Sequence, residues 1–364
     1  MRLGRFVVET HCHGQRHAVR VQETGDATYS EIASQMGAAV PADEASDDDP
    51  IIVYDNSDRV LFDMEQYEVD MCVLLPGFGM TNEINRQIME DNPGKFVAAA
   101  APVQMRKAAT RGDEEWDWGK ACEELDEWLQ VDGFRMIGEG MPYDPAREEP
   151  IPWPERKDEL RQVFDVAVEH DVPVRWHTGY VSGYGGSSGT ASVFDLYPDW
   201  SDPTLASQMK AEYPEVPIIF DHGGMQATWR EHHVDQCCQV AGTFDDIYLE
   251  IGLYWKELMK KPMNDPNISI EQLLWGNDWG ASMPQHHQPG EYPQMYWDQI
   301  TDRGLPAHQV DYWGASQRQL FKYAQETDLP QDDLNLIAGG NAVRLFDLEV
   351  PHTRLFPEYI SPDG

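Results

Sequence analysis

Four stretches of this 364-residue chain end in side chains that can hold a metal ion. The first reads Glu9-Thr10-His11-Cys12-His13. As a strand, its period-two alternation would send Glu9, His11 and His13 to one side, so that two imidazoles converge. The others read Val174-Arg175-Trp176-His177-Thr178-Gly179, Phe220-Asp221-His222-Gly223-Gly224 and Trp275-Gly276-Asn277-Asp278-Trp279. Three imidazoles and one carboxylate suit a divalent ion of zinc type, with a position left for water or substrate. Such an ion brings the pKa of bound water down towards ~7, which gives hydroxide at neutral pH. A further histidine close by titrates near working pH and can serve as general acid or base. A lone His-x-His carries little weight, since strand-end histidines are often satisfied core residues. The argument rests on the whole set.

Each motif ends or follows a short β-rich run. Eight such runs alternate with helical patterns: Arg5–Thr10, Asp70–Leu75, Lys95–Pro102, Val131–Gly138, Val172–His177, Val216–His222, Asp246–Ile251 and Gln272–Gly276. Near-continuous apolar stretches such as Val-Pro-Ile-Ile-Phe mark strands buried on both faces of a parallel sheet. Between them, residues 155–170 place Leu160, Val163, Phe164, Ala167 and Val168 on one helical stripe, and residues 118–130 do the same with Trp118, Ala121, Cys122, Leu125, Trp128 and Leu129. The alternation predicts an α/β fold, a (β/α)8 TIM barrel forming one domain over residues 1–364. In such barrels the chemistry sits where strands end, which is where the four motifs fall. Two insertions are expected, after strand one and strand eight. Residues 14–55 form an acidic loop or small subdomain, and residues 281–331, rich in Trp, Tyr, Pro and Gln, form a lid or subunit interface. Residues 334–348 read as a closing helix.

The chain carries 27 Lys+Arg against 64 Asp+Glu, a formal charge of −37. That charge argues against nucleic-acid or membrane partners. Scarce lysine, with 9 Lys to 18 Arg, points to a halophile's salt-rich cytoplasm. No apolar run approaches a membrane span, and the N-terminus lacks a signal-peptide pattern, so a cytoplasmic location is expected. Five cysteines without CxxC spacing are expected to be reduced thiols.

The four motifs together resemble the amidohydrolase superfamily, in the amidohydrolase-related branch typified by aminocarboxymuconate-semialdehyde decarboxylase. The Gly-Gly-Asn341-Ala-Val-Arg-Leu-Phe segment is similar to that branch's closing helix. The resemblance implies that His11, His13, His177 and Asp278 bind one ion, zinc or alternatively manganese, and that His222 is the acid/base. Binuclear amidohydrolases carry a carboxylated lysine ending strand four. Here that strand reads Gly133-Phe134-Arg135-Met136-Ile137-Gly138-Glu139, so a single ion is expected, with Glu139 as an extra ligand if a second binds.

Decarboxylases of that branch hold the substrate carboxylate with arginines, so the resemblance makes Arg59 and Arg230 the candidate partners, with a surface ion pair the alternative for each. Trp279 could stack on a planar substrate or simply pack in the core. Asp221, one residue before His222, is expected to point away from the lumen. The expected activity is decarboxylation of a small carboxylated aromatic or muconate-like compound. The alternatives are hydrolysis of a lactone, amide or ester by the same hydroxide, and a non-catalytic barrel with a zinc ion that only stabilises it. A homodimer is expected.

Overall fold

The computed structural model describes residues 3–14, 16–20, 51–55, 57–76, 80–179, 193–200, 202–225, 231–279 and 312–350. The first strand is β1 (Val8–Cys12), and β2 (Arg16–Arg20) pairs antiparallel with β3 (Ile51–Asp55), Arg16 opposite Asp55. The main sheet continues with β4 (Met71–Leu74), β5 (Phe96–Ala100), β6 (Phe134–Ile137), β7 (Val174–His177), β8 (Ile218–Asp221), β9 (Ile247–Glu250) and β10 (Leu273–Leu274). These seven and β1 are all parallel, in the order β1-β4-β5-β6-β7-β8-β9-β10. Each lies within or overlaps one of the eight runs expected from sequence.

First and last strands meet. Cys12 bridges Trp279, the Trp279 amide donates to the His11 carbonyl at 3.0 Å, and the Thr10 amide donates to the Trp275 carbonyl at 3.1 Å. The sheet is thereby a (β/α)8 barrel.

Val8, Val73, Val97, Ala99, Met136, Ile219 and Leu274, one or two from each of six strands, fill the lumen at the N-terminal ends of the strands. The alternate residues Val174, Trp176, Ile218, Phe220, Ile247 and Leu249 face outwards against the helices. One such helix, Trp153–His170, buries Leu160, Val163, Phe164 and Ala167, while Val168 stands 39% exposed at the edge of the expected stripe. It ends at Asp171, whose φ of 52° is the left-handed conformation that stops a helix. The helix Trp118–Leu129 starts at Asp117, whose carboxylate accepts the Lys120 amide at 3.0 Å.

β1 departs from simple alternation. Val8 belongs to the inner cluster and Cys12 to the outer one, although an even number of steps separates them. The pairing with β4 slips between Glu9 and Cys12, and a one-residue slip exchanges faces. Glu9 consequently does not share a side with His11 and His13. Its carboxylate instead accepts from the Asn277 side chain at 2.6 Å and from the indole of Trp313 on the outer helix Tyr312–Thr327.

That outer helix lies in the later part of the expected insertion 281–331, and its Trp313 and Leu320 are buried on the barrel wall. Residues 281–311 lie outside the described residues, as does most of 14–55. The closing helix runs as Gln331–Asn335, a π-turn Leu336–Gly340 and Asn341–Leu345. A Cβ on Gly339 would lie 2.2 Å from the Phe6 carbonyl oxygen, so glycine lets the π-turn close against the start of β1. Among the described residues no helix is long and apolar enough to cross a membrane.

Candidate metal centre

His11, His13, His177, His222 and Asp278 come together above the apolar part of the lumen, each less than a twentieth exposed. The Glu139 carboxylate stands among them. Its Oε1 lies 3.5 Å from His11 Nε2, 3.1 Å from His222 Nε2 and 3.9 Å from His177 Nε2. Its Oε2 lies 3.0 Å from His13 Nε2. Asp278 Oδ1 faces the β1 pair, 3.3 Å from His13 Nε2 and 3.6 Å from His11 Nε2. Sequence reasoning gave Glu139 only a subsidiary place.

Two of these side chains reach the centre because their backbones leave strand geometry. His222 has φ 63° and Asp278 has φ 52°, both left-handed and uncommon for side-chain-bearing residues. The expectation that Asp221 points away from the lumen is therefore wrong. Asp221 already faces inwards, with Oδ1 2.6 Å from Arg175 Nη2, and the left-handed turn at His222 brings the next side chain in as well. Gly223 and Gly224 continue the turn. A Cβ on Gly224 would lie 2.5 Å from the His233 backbone.

Beneath the imidazoles lies a buried charged layer that the sequence analysis did not identify. Arg175 Nη2 also lies 2.6 Å from Glu250 Oε1, and Nη1 donates to the Thr10 carbonyl at 2.8 Å. Glu250 Oε2 accepts from His11 Nδ1 at 2.8 Å and from the His222 amide at 3.1 Å. One carboxylate thus orients one imidazole and holds the backbone of another. The signal for Glu250 was an acid inside the apolar run Ile-Tyr-Leu-Glu-Ile, and for Arg175 a cation two residues before His177.

The electrostatics follow from close opposite charges in a dry site. Burial opposes a charged His13, yet Glu139 and Asp278 outweigh it and push the imidazole up to about 9. Burial would raise the Asp278 carboxyl, but the His13 hydrogen bond and the charge on His11 bring it down to about 2. Glu139 is held well below the ordinary range by His11 and His13, against its burial. His177 falls to about 3, through burial and the nearby His222. Burial drives the Asp221 carboxyl up to about 6, against the pull of Arg175.

The donors fit a divalent cation. His11, His13 and Asp278 form one trio, and Glu139, His177 and His222 another; the donor atoms of each trio lie within 4.8 Å of one another. The mixture of imidazole nitrogen and carboxylate oxygen suits zinc or manganese. The Glu250 contact turns His11 Nε2 towards the centre, as outer carboxylates do for metal-binding histidines.

Of the other residues singled out, Arg59 lies on the helix Ser57–Tyr67, and its side chain, like the whole of Arg230, is outside the described residues. Trp279 is 1% exposed, donates to Asp63 Oδ2 at 3.1 Å and packs 5.9 Å from the Trp313 ring. Those surroundings are those of a core residue. All five cysteines are free thiols.

A family model for amidohydrolases matches residues 76–348. Among solved structures, an amidohydrolase of Burkholderia multivorans with bound zinc aligns at TM-score 0.52 and 12% identity, over 94% of this chain and 100% of that one. A probable 2-pyrone-4,6-dicarboxylic acid hydrolase of Acinetobacter baumannii with citric acid bound aligns at 0.50 and 14%, over 94% and 99%. A dihydroxybenzoic acid decarboxylase of a Polaromonas species, with bound manganese and the inhibitor 2-nitroresorcinol, aligns at 0.50 and 15%, over 98% and 100%. At these identities the likeness is one of fold. No curated protein matches the chain.

Proposed function

The chain belongs to the amidohydrolase family, and from that premise we propose that it is a metal-dependent decarboxylase of a small carboxylated aromatic or muconate-like compound. The observation that carries the reading is the convergence of four imidazoles and two carboxylates at the C-terminal mouth of the barrel. In this reading His11, His13, His177 and Asp278 would hold the ion, with zinc preferred and manganese the alternative. A bound divalent ion supplies Lewis-acid polarisation of a substrate oxygen and lowers the pKa of a coordinated water.

The chain's own residues handle the proton. His222 Nε2 lies 3.1 Å from Glu139 Oε1, and its Nδ1 lies 3.9 Å from Asp278 Oδ2. Held between two carboxylates, the ring can carry a proton at Nε2 and deliver it to the substrate carbon. Carbon dioxide leaves without the bonding electrons, and that pair takes up the delivered proton. Arg59 and Arg230 are the proposed partners of the substrate carboxylate. The enclosure of Trp279 favours its structural role over stacking on substrate.

One observation favours a second reading, hydrolysis of a lactone, amide or ester. Glu139 belongs to the trio with His177 and His222 and also lies 3.0 Å from His13 of the other trio, so its carboxylate would be available to a second ion, which would add a further Lewis acid for hydrolysis. A zinc ion that only stabilises the barrel fits less well, because a closed structural site needs only four donors and this one gathers more.

The test is metal content per chain, with turnover of carboxylated phenols and of cyclic lactones by the metal-loaded protein in molar KCl. About one ion per chain with carbon dioxide release is expected, with a ~10²–10⁴-fold loss in His222→Ala. Two ions with lactone opening would move the assignment to hydrolysis. Neither turnover nor ion uptake would overturn both. The charge of −37 supports a small-molecule substrate rather than nucleic acid or a lipid surface, and a salt-rich cytoplasm. The proposed homodimer is checked by light scattering in the same buffer.

A further inference from the structure

We propose that Arg156, a wholly buried residue of the helix Trp153–His170, is a positioning residue that fixes the His177 ring by way of Asp199 and Trp200. The proposal rests on the reading of His177 as a metal ligand. Arg156 Nε and Nη2 bond the two Asp199 oxygens at 2.8 and 2.9 Å, and Nη1 bonds Glu159 at 3.0 Å. Its guanidinium lies 4.7 Å from the centre of the Tyr197 ring. Two parallel bonds from a planar guanidinium set orientation as well as distance. A second strap runs through Arg147, which bonds Glu159 at 3.1 Å and the Tyr197 hydroxyl at 3.1 Å.

Asp199 occupies the single turn Pro198–Trp200, so fixing its carboxylate fixes Trp200 beside it. The Trp200 ring stacks on His177 with centroids 5.0 Å apart and planes 26° from parallel. Its carbonyl accepts from His177 Nδ1 at 3.4 Å, which places the ring N–H on Nδ1 and leaves the Nε2 lone pair facing Glu139. Phe194 closes the same ring edge-on at 5.2 Å. Trp200 also needs the space left by Gly140, where a Cβ would lie 2.6 Å from Trp200 Cη2. The indole is therefore packed against both the loop that carries Glu139 and the ring of His177.

A buried ion pair is a weak source of stability compared with apolar residues of the same volume. What this one supplies is a single orientation for the Trp200 indole.

The experiment is cobalt(II) titration of the metal-stripped full chain in molar KCl, read by the visible bands of the bound ion. Asp199→Asn removes the charge and keeps the shape; Gly140→Ala displaces Trp200 without touching the pair, and because it also strains the left-handed backbone next to Glu139, its effect on the clamp is read by the His177 tautomer rather than by affinity. Asp199→Asn should weaken cobalt binding ~10–100-fold and shift the bands. Arg156→Lys should fall between Asp199→Asn and the unaltered protein. Arg161→Gln, which breaks a surface pair on the same helix, should change neither. In the metal-free chain, nitrogen NMR of the histidines should show His177 as one Nδ1–H tautomer that becomes mixed in both variants. Unchanged affinity and bands in folded Asp199→Asn, or an unchanged tautomer in both folded variants, would overturn the proposal. If the unaltered chain bound no cobalt, the reading of the centre would fail, and the His177 tautomer would still support or overturn the clamp.

Discussion

The lumen of this barrel has two halves built from the same strands on opposite rules. Towards the strand N-termini, Val8, Val73, Val97, Met136, Ile219 and Leu274 meet in an apolar plug. Towards the C-termini, Arg175, Asp221 and Glu250 share a buried ionic layer beneath the imidazoles. The lower half gains from removing hydrocarbon from water and tolerates small changes of shape. The upper half has lost the hydration of its charges, so each group depends on its partner. Stability is thus concentrated where the chemistry is absent, and geometric precision where the stability cost is highest.

The sharpest way to break that contrast is Arg175→Met. It leaves Glu250 and Asp221 buried without their cation and should cost ~3–5 kcal/mol in chemical denaturation. A loss of only about 1 kcal/mol, the size expected for trimming a methyl in the plug, would mean that the two halves obey one rule. Asp278→Asn comes next. It should weaken zinc binding ~100-fold, about 2.7 kcal/mol. Unchanged metal content would remove Asp278 from the donors.

Zinc uptake should also release protons. With His13 raised to about 9, its imidazole is protonated below that pH in the metal-free chain and must give up the proton to bind. Calorimetry at pH 7 in buffers of different ionisation heat should show this release. Apparent affinity should rise as pH climbs towards 9.

In the plug, Ile219→Val should cost about 1 kcal/mol and leave zinc affinity untouched. The smallest effect belongs to the surface. The Glu212 carboxyl is lowered to about 2 by hydrogen bonds from Arg161 and Lys157. Its folded pKa lies below the unfolded one, so its contribution is present above the ordinary glutamate value and fades as pH falls towards 2. Glu212→Gln should therefore lower the melting temperature slightly at pH 7 in low salt, and not at all in molar KCl.

The same division explains what could be read from sequence. Strands and outer helices were legible because a strand buried on both faces must be continuously apolar and a covering helix must carry a stripe. Five of the groups at the centre were legible because imidazole and carboxylate at strand ends are rare and conspicuous. The faces of Glu9 and Asp221 were not, because a register slip in β1 and a left-handed residue at 222 break the alternation that the reading assumed. Glu250 and Arg175 escaped for a different reason. Each looks like an isolated polar residue until the barrel closes and sets them 2.6 Å apart. Pairing across strands distant in sequence has no local signature.

The seam between the first and last strands sets an order of events during synthesis. His11 and His13 leave the ribosome early, but their backbone bonds to Trp279 and their contacts with Asp278 wait for the end of the barrel. Until then the nascent chain offers two histidines without the seam that aligns them, and non-local closure of this kind is the slow part of folding. Under the proposed assignment of the centre, ion capture by that trio would report a finished barrel.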